Sequence, residues 1–311
     1  MNTNPSPFRV RAFRHGLVTT VLVLLVCGAI ATVSLLSYNS AQSRMTSLSA
    51  RAVGEITAVR DYVVDVRWTL PNGTQVTAPV ELAVTPPPAG MRAEVAYEPG
   101  NPQHAAIPGA ALLAELDRAA SGLSFSAVIA FAVLAMLLGL TITRARLTRR
   151  PTRKVVVRRV RVQKGLIARS WLETESGPQR WIPVYYDPAL VGMPAPVEVS
   201  VHGDPRTDRL LAVDYQGTVL YSSGATARTE PQGRRTDNPV RPDEDIAERT
   251  AASSSALRQF RADAALIMPA PLVGLFWAYL DAGGFPVWLG ATLITAAIAL
   301  WWAAVRGSDP S

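Results

Sequence analysis

The residues able to do chemistry are few and scattered. The histidines are His15, His104 and His202, and the single cysteine is Cys27. One cysteine allows neither an intrachain disulfide nor a paired-thiol metal site, and no two histidines stand at zinc-motif spacing. Asp243, Glu244 and Asp245 are clustered oxygen ligands of the kind a divalent cation prefers. Behind Pro242 they also suit the positive end of a starting helix, the simpler account. Asp61, Asp65 and Glu81 are candidate paired carboxylates for general acid and base work, although charges exposed on the strands of a small barrel are the better account. His202 beside Gly203-Asp204-Pro205 reads as a turn histidine. The chain has no phosphate-binding glycine loop, no dinucleotide fingerprint and no nucleophile elbow. A non-enzymatic protein without cofactor or metal is therefore expected.

What must position these residues is a set of apolar runs. The chain has 311 residues, and 49% are hydrophobic against 18% charged. The excess lies in four runs free of Asp, Glu, Lys, Arg and His: residues 16–37, 122–143, 264–280 and 285–305. A helix needs roughly 20 such residues to cross a bilayer. Run one is long for a signal peptide and lacks a good cleavage site, so a retained anchor is expected. Pro269 and Pro271 lie inside the third run and predict a kink. Ala135 with Gly139, and Gly274 with Ala278, are small residues at helical spacing that permit close helix packing. No run carries the ionisable group that an ion-coupled transporter usually keeps in the membrane.

Charge orients the runs. Net charge is +7, and the segment between runs two and three carries that whole excess, while the segment between runs one and two is at −2. The basic block starts at the end of run two with Arg144, Arg146, Arg149, Arg150, Arg153 and Lys154. By the positive-inside rule this holds the second loop, and both termini, on the cytoplasmic side. The block lacks interleaved aromatics, so anionic lipid head groups are the expected contact and nucleic acid is not.

Between the runs lie two β-rich stretches. Residues 50–108 alternate over Tyr62 to Trp68, turn at Pro71-Asn72-Gly73, return over Gln75 to Val80, and alternate again from Met91 to Tyr97. Four or five short strands and a small barrel or sandwich are expected, followed by a lead-in helix over 109–121. Residues 144–222 hold a basic segment and a second module with the same landmarks in the same order. Trp68 matches Trp171, Pro79-Val80 matches Pro183-Val184, Gly90-Met91 matches Gly192-Met193, and Gly100-Asn101-Pro102 matches Gly203-Asp204-Pro205. Residues 223–241 read as a linker, 242–263 as a cytoplasmic helix, and 281–284 as a tight turn joining runs three and four.

The outer stretch, with Trp68, Gly73, Pro86 to Pro88, Val95, Tyr97, Pro99, Asn101 and Pro102, resembles an actinobacterial family of membrane proteins of unknown function. In that family a transmembrane helix carries a small β-rich module. Here the unit stands as a tandem repeat followed by a transmembrane hairpin. The resemblance implies a fold and no functional residues. The expectation is an integral membrane α+β protein of the bacterial plasma membrane, with four transmembrane helices and two small β-barrel or β-sandwich-like modules. Its role would be that of an accessory or scaffolding protein of the cell envelope, in contact with lipids and with a protein partner or second copy. A transport or channel component is the first alternative. An enzyme acting on envelope lipid or cell-wall precursors is the second.

Overall fold

The computed structural model describes residues 11–241, 245–253 and 255–311. The chain divides into two compact units, Cys27–Ile129 in one and Met1–Val26 with Ala130–Ser311 in the other. Among the described residues three helices are long and apolar enough to cross a membrane. They are α1 (Arg11–Ser47), α2 (Ala111–Ala145) and α6 (Gly284–Arg306). The expected lead-in helix and second span are one continuous helix, because nothing between Leu116 and Gly122 breaks the backbone pattern.

The Cys27–Ile129 unit carries the first β module. Its strands are β1 (Ala50–Arg60), β2 (Val63–Thr69), β3 (Gln75–Glu81), β4 (Arg92–Glu98) and β5 (Asn101–Ala106). All neighbours pair antiparallel in the order β3-β2-β1-β4-β5. The sheet curls, and the Leu82–Ala110 bridge lies just past its two outer strands. Alternation puts Val64, Val66 and Trp68 inward from β2, and Val95 and Tyr97 inward from β4. The Trp68 and Tyr97 rings lie 5.9 Å apart. Gly54 on β1 faces this core, where an added Cβ would sit 2.7 Å from Val95 and 2.8 Å from Val66.

The larger unit carries a seven-stranded sheet. It is built from β6 (Thr152–Lys164), β7 (Ile167–Thr174), β8 (Trp181–Val184), β9 (Val197–His202), β10 (Ala212–Tyr215), β11 (Thr218–Tyr221) and β12 (Arg234–Asp237). The main path is β11-β10-β9-β6-β7-β8, with β12 against β6. From β8 to β10 this repeats the strand order of the first sheet. Strand register corrects two landmarks. Pro183 pairs with Trp171 and so stands level with Thr77, not Pro79. Counted from the hairpin turns after Arg60 and Lys164, Trp68 stands level with Leu172, not Trp171. One residue of slip puts a side chain on the other face. Leu172 is fully buried in the main core, whereas Trp171 packs with Val160, Val162 and Trp181 on the reverse side. Strand β1 carries a bulge between Ile56 and Ala58 that β6 lacks, so by cross-strand pairing Arg159, opposite Leu172, occupies the place of Gly54, opposite Trp68.

Residues 223–241 are not a linker. Ser223 N donates to Pro183 O at 2.9 Å and Ala227 N to Trp181 O at 2.8 Å, which covers the outer edge of β8. Strand β12 then pairs with the second half of β6. Polar composition suggested a free chain, but the unpaired edges of β6 and β8 offer its backbone partners. The covered β8 edge removes one expected site of strand-edge pairing with a partner.

The expected cytoplasmic helix is two helices, α3 (Ile246–Ser253) and α4 (Ala256–Ala264), the second capped by Ser255. Pro242, Asp243 and Glu244 lie outside the described residues, and Asp245 is exposed. The third apolar run is not one kinked helix either. Residues 265–269 turn through bonds such as Leu266 N to Asp263 O and Ala270 N to Ile267 O, 3.0 and 2.8 Å. Helix α5 (Ala270–Asp281) follows. Pro269 and Pro271 lack the N–H groups owed to the carbonyls four residues back, and two such losses end a helix. With 12 residues, α5 is about 18 Å long, short of the roughly 30 Å of hydrocarbon. It packs on α6 through Gly274, whose absent Cβ leaves room for Trp288 O and Thr292. Ala282 at φ 47° closes α5 before α6 begins.

Replacing Gly54 with Val should destabilise the protein by about 1–3 kcal/mol through overpacking. Thermal unfolding of the detergent-solubilised full chain checks this, and an unchanged midpoint would show that the core has slack at β1.

Candidate functional site

The residues singled out from sequence do not converge. Asp61 sits in the β1–β2 turn at φ 49°. Asp65 accepts from Arg60 at 2.5 Å, and Glu81 is exposed on β3. His104 faces Glu98 at 3.1 Å on the surface, and His202 lies 3.3 Å from the Thr152 hydroxyl. Beside His202, Asp204 pairs with Arg153 at 3.0 Å. No group of three metal-ligating side chains occurs among the described residues.

The basic block is largely absorbed by the sheet it enters. Arg144 is buried and donates to Ser222 O at 3.1 Å, so it cannot meet a lipid head group. Arg150 pairs with Asp208 at 3.3 Å, and Lys154 with Glu198 at 3.4 Å. The acids that neutralise the block come from β9 and the turn after it, brought alongside by pairing with β6. Arg146 and Arg149 stay exposed without an ion-pair partner among the described residues. Ala135 and Gly139 are exposed on α2, and an added Cβ at Gly139 would meet nothing within 4 Å.

What does converge is a polar junction that joins helices to the second β module. Helix α6 ends at Arg306, and Gly307 at φ 72° turns the chain. A Cβ there would stand 2.8 Å from Ser223, so glycine is needed for both the turn and the close approach. The next residues run along β7, with Asp309 N donating to Ala168 O at 2.9 Å. That delivers the Asp309 carboxylate to Arg159, 2.7 Å away, with both side chains buried. Ser170 donates to the same oxygen at 2.6 Å, and Ser311 N donates to the other at 2.9 Å. Arg159 also donates to Asn238 Oδ1 at 3.0 Å, and the Asn238 amide donates to Leu190 O and Met193 O. Burial alone would raise the Asp309 carboxyl. The Arg159 charge and the Ser170 and Ser311 hydrogen bonds outweigh it and hold the group below the ordinary carboxylate value.

A second buried carboxylate adjoins the first. Asp263, at the end of α4 and 1% exposed, accepts from the Ser308 hydroxyl and from Gln259 Nε2 at 3.1 Å. His15 Nε2 from α1 lies 3.4 Å from it. These are the residue types of a nucleophilic triad in the wrong order. In a triad the histidine stands between serine and aspartate and takes the serine proton. Here aspartate stands in the middle, so the Ser308 proton is committed to a carboxylate. Arg258 Nε donates to Pro310 O at 2.8 Å, Tyr185 OH to Val305 O at 3.1 Å, and Trp301 Nε1 to Thr20 Oγ1 at 3.1 Å. The space left between Phe13, Leu137, Arg144, Tyr185 and Val305 is about 20 Å³, room for a water and not for a substrate. The hydrogen bonds fasten the elements together.

Sequence reasoning missed Arg159, Asn238, Asp263 and Asp309 as a set. The one available sign was Asp263, an acid at the very edge of an apolar run. Comparison with protein-family models, curated proteins and solved structures finds no match to the chain.

Asp309→Asn should cost about 3–5 kcal/mol, because it strands a buried guanidinium. Urea unfolding in detergent checks the value, and a loss below about 1 kcal/mol would mean that Arg159 is hydrated. The carboxyl is held below its ordinary value of 3.8. Its contribution is therefore complete above that value and is lost only as pH falls through the lower, folded one. Unfolding followed as a function of pH should show this acid-side loss in the natural chain and not in the Asn variant.

Proposed function

We propose that the chain is a non-enzymatic, multi-pass protein of the bacterial plasma membrane, an accessory or scaffolding component of the envelope. The observation that carries this reading is the junction. Its Ser308, Arg159, Asp263 and Asp309 are engaged in holding α4 and the chain after α6 to the second β module, and the Ser308 proton goes to a carboxylate and not to a histidine. Three long apolar helices support membrane residence.

The third apolar run supports a fourth crossing, made by a broken segment. Its start, Asp263, is bonded to Ser308 beside one end of α6, and α5 closes into the turn at the other end of α6. The run therefore starts beside one end of α6 and finishes at the other, and α5 packs on α6 through Gly274. The charge balances of −2 and +7 support a first module outside and a second module inside. The shared strand order supports a tandem repeat of one span plus one module. Open space at Gly139 leaves α2 able to pack against a second copy or another membrane protein.

Single cysteines at Asn72 and Ser176, on a Cys27→Ala background, test the topology in intact cells. An impermeant thiol reagent should label the Asn72 position alone. Labelling at Ser176 would overturn it.

A further inference from the structure

Helix α4 is amphipathic in the reverse sense to a helix on a soluble surface. Such helices bury apolar side chains and expose polar ones. In α4 the buried residues are Gln259 and Asp263, bonded to each other at 3.1 Å. Leu257 is 58% exposed and Phe260 is 51% exposed. At 100° per residue these two lie on one flank of the outward face, and Arg261 and Arg258 lie on the other. Neither arginine has an ion-pair partner among the described residues. Arg258 is oriented by its bond to Pro310 O. The two arginines, with Ser255, Leu257, Ala262 and Pro310, line a shallow groove open to the surroundings. The chain after α4 leads directly into the third apolar run, where Met268, Leu272, Leu275 and Phe276 are also exposed.

We propose that α4 is an interfacial helix that docks on the anionic phospholipid surface, with Leu257 and Phe260 in the acyl boundary and Arg258 and Arg261 on head-group phosphates. The proposal rests on the membrane-spanning reading. Water cannot account for the pattern, since it would favour the opposite face outward. A soluble partner fits less well, because α4 leads directly into a segment assigned to lipid. Two arginines beside an apolar flank are the chemistry that holds a helix in the plane of an anionic interface. The polar residues turned inward serve the junction, where Asp263 receives Ser308. One helix thus seats the second module on the protein side and meets lipid on the other.

The test uses the full chain in phosphatidylcholine vesicles, with or without phosphatidylglycerol. Spin labels are placed at Leu257→Cys, Phe260→Cys and, as a reference within α2, Leu138→Cys, all on Cys27→Ala. Relaxation by oxygen marks lipid, and relaxation by a water-soluble nickel complex marks solvent. Labels at all three positions should relax with oxygen. Phosphatidylglycerol should shift the label at position 260 deeper, and the double change Arg258→Gln, Arg261→Gln should abolish that shift. Nickel-dominated relaxation at 257 and 260, with oxygen-dominated relaxation at 138, would overturn the proposal and leave the membrane reading standing. Nickel-dominated relaxation at all three would overturn both. A phosphatidylglycerol shift that survives the double change would overturn the head-group role of the arginines.

Discussion

A buried ion pair governs the larger unit. Arg159 lies in the middle of β6, the strand that pairs with β7, β9 and β12. An uncompensated guanidinium at that place would cost several kcal/mol. Asp309 compensates it, and it does so from beyond the last helix. One electrostatic need therefore dictates the route of the chain after α6, the left-handed turn at Gly307 and the bridge along β7. Ser170, Ser311 and Asn238 use up the remaining donors and acceptors, which is the condition for a buried charge pair to be tolerated.

The two β modules show what one position decides. Both sheets run through the same five-strand order. In the first, Gly54 lets Val66 and Val95 close over β1 and make an apolar core. In the second, the register-equivalent Arg159 puts a buried charge beside an apolar core made by the module's own residues, and Asp309 neutralises that charge from after α6. The first module is thus filled by its own strands and neighbouring apolar residues. The second is filled by its own apolar residues too, and takes from the residues after α6 the counter-ion of Arg159.

What was legible in the sequence was local. Alternation from Val63 to Trp68 and the Pro71-Asn72-Gly73 turn are decided within a few residues, so β2 and β3 could be read. Strand β1 was missed because Gly54 and the scattered Ala50, Ala52 and Ala58 blur its alternation, and burial of that face comes from β2 and β4. Strand β12 was hidden because the edge of β6, not its own composition, makes it a strand. The prolines at 269 and 271 pointed to a disturbance, and only the count of missing backbone bonds separates a kink from a break. The basic block was legible as charge but not as neutralised charge, because Asp204, Asp208 and Glu198 reach it only through sheet pairing. The junction was least legible. Its central pair is 150 residues apart, and neither Arg159 nor Asp309 stands in a pattern of its own.

That separation has a consequence in time. A ribosome makes Arg159 and every strand of the second module before it makes α5 and α6. From the end of β12 to Asp309 lie some 70 residues, roughly 4–14 s of synthesis at 5–20 residues per second. Throughout that interval the guanidinium has no counter-ion and the β7 edge no cover. The second module is thus completed last, by the segment that leaves the final helix, and its folding reports that the final helix is in place.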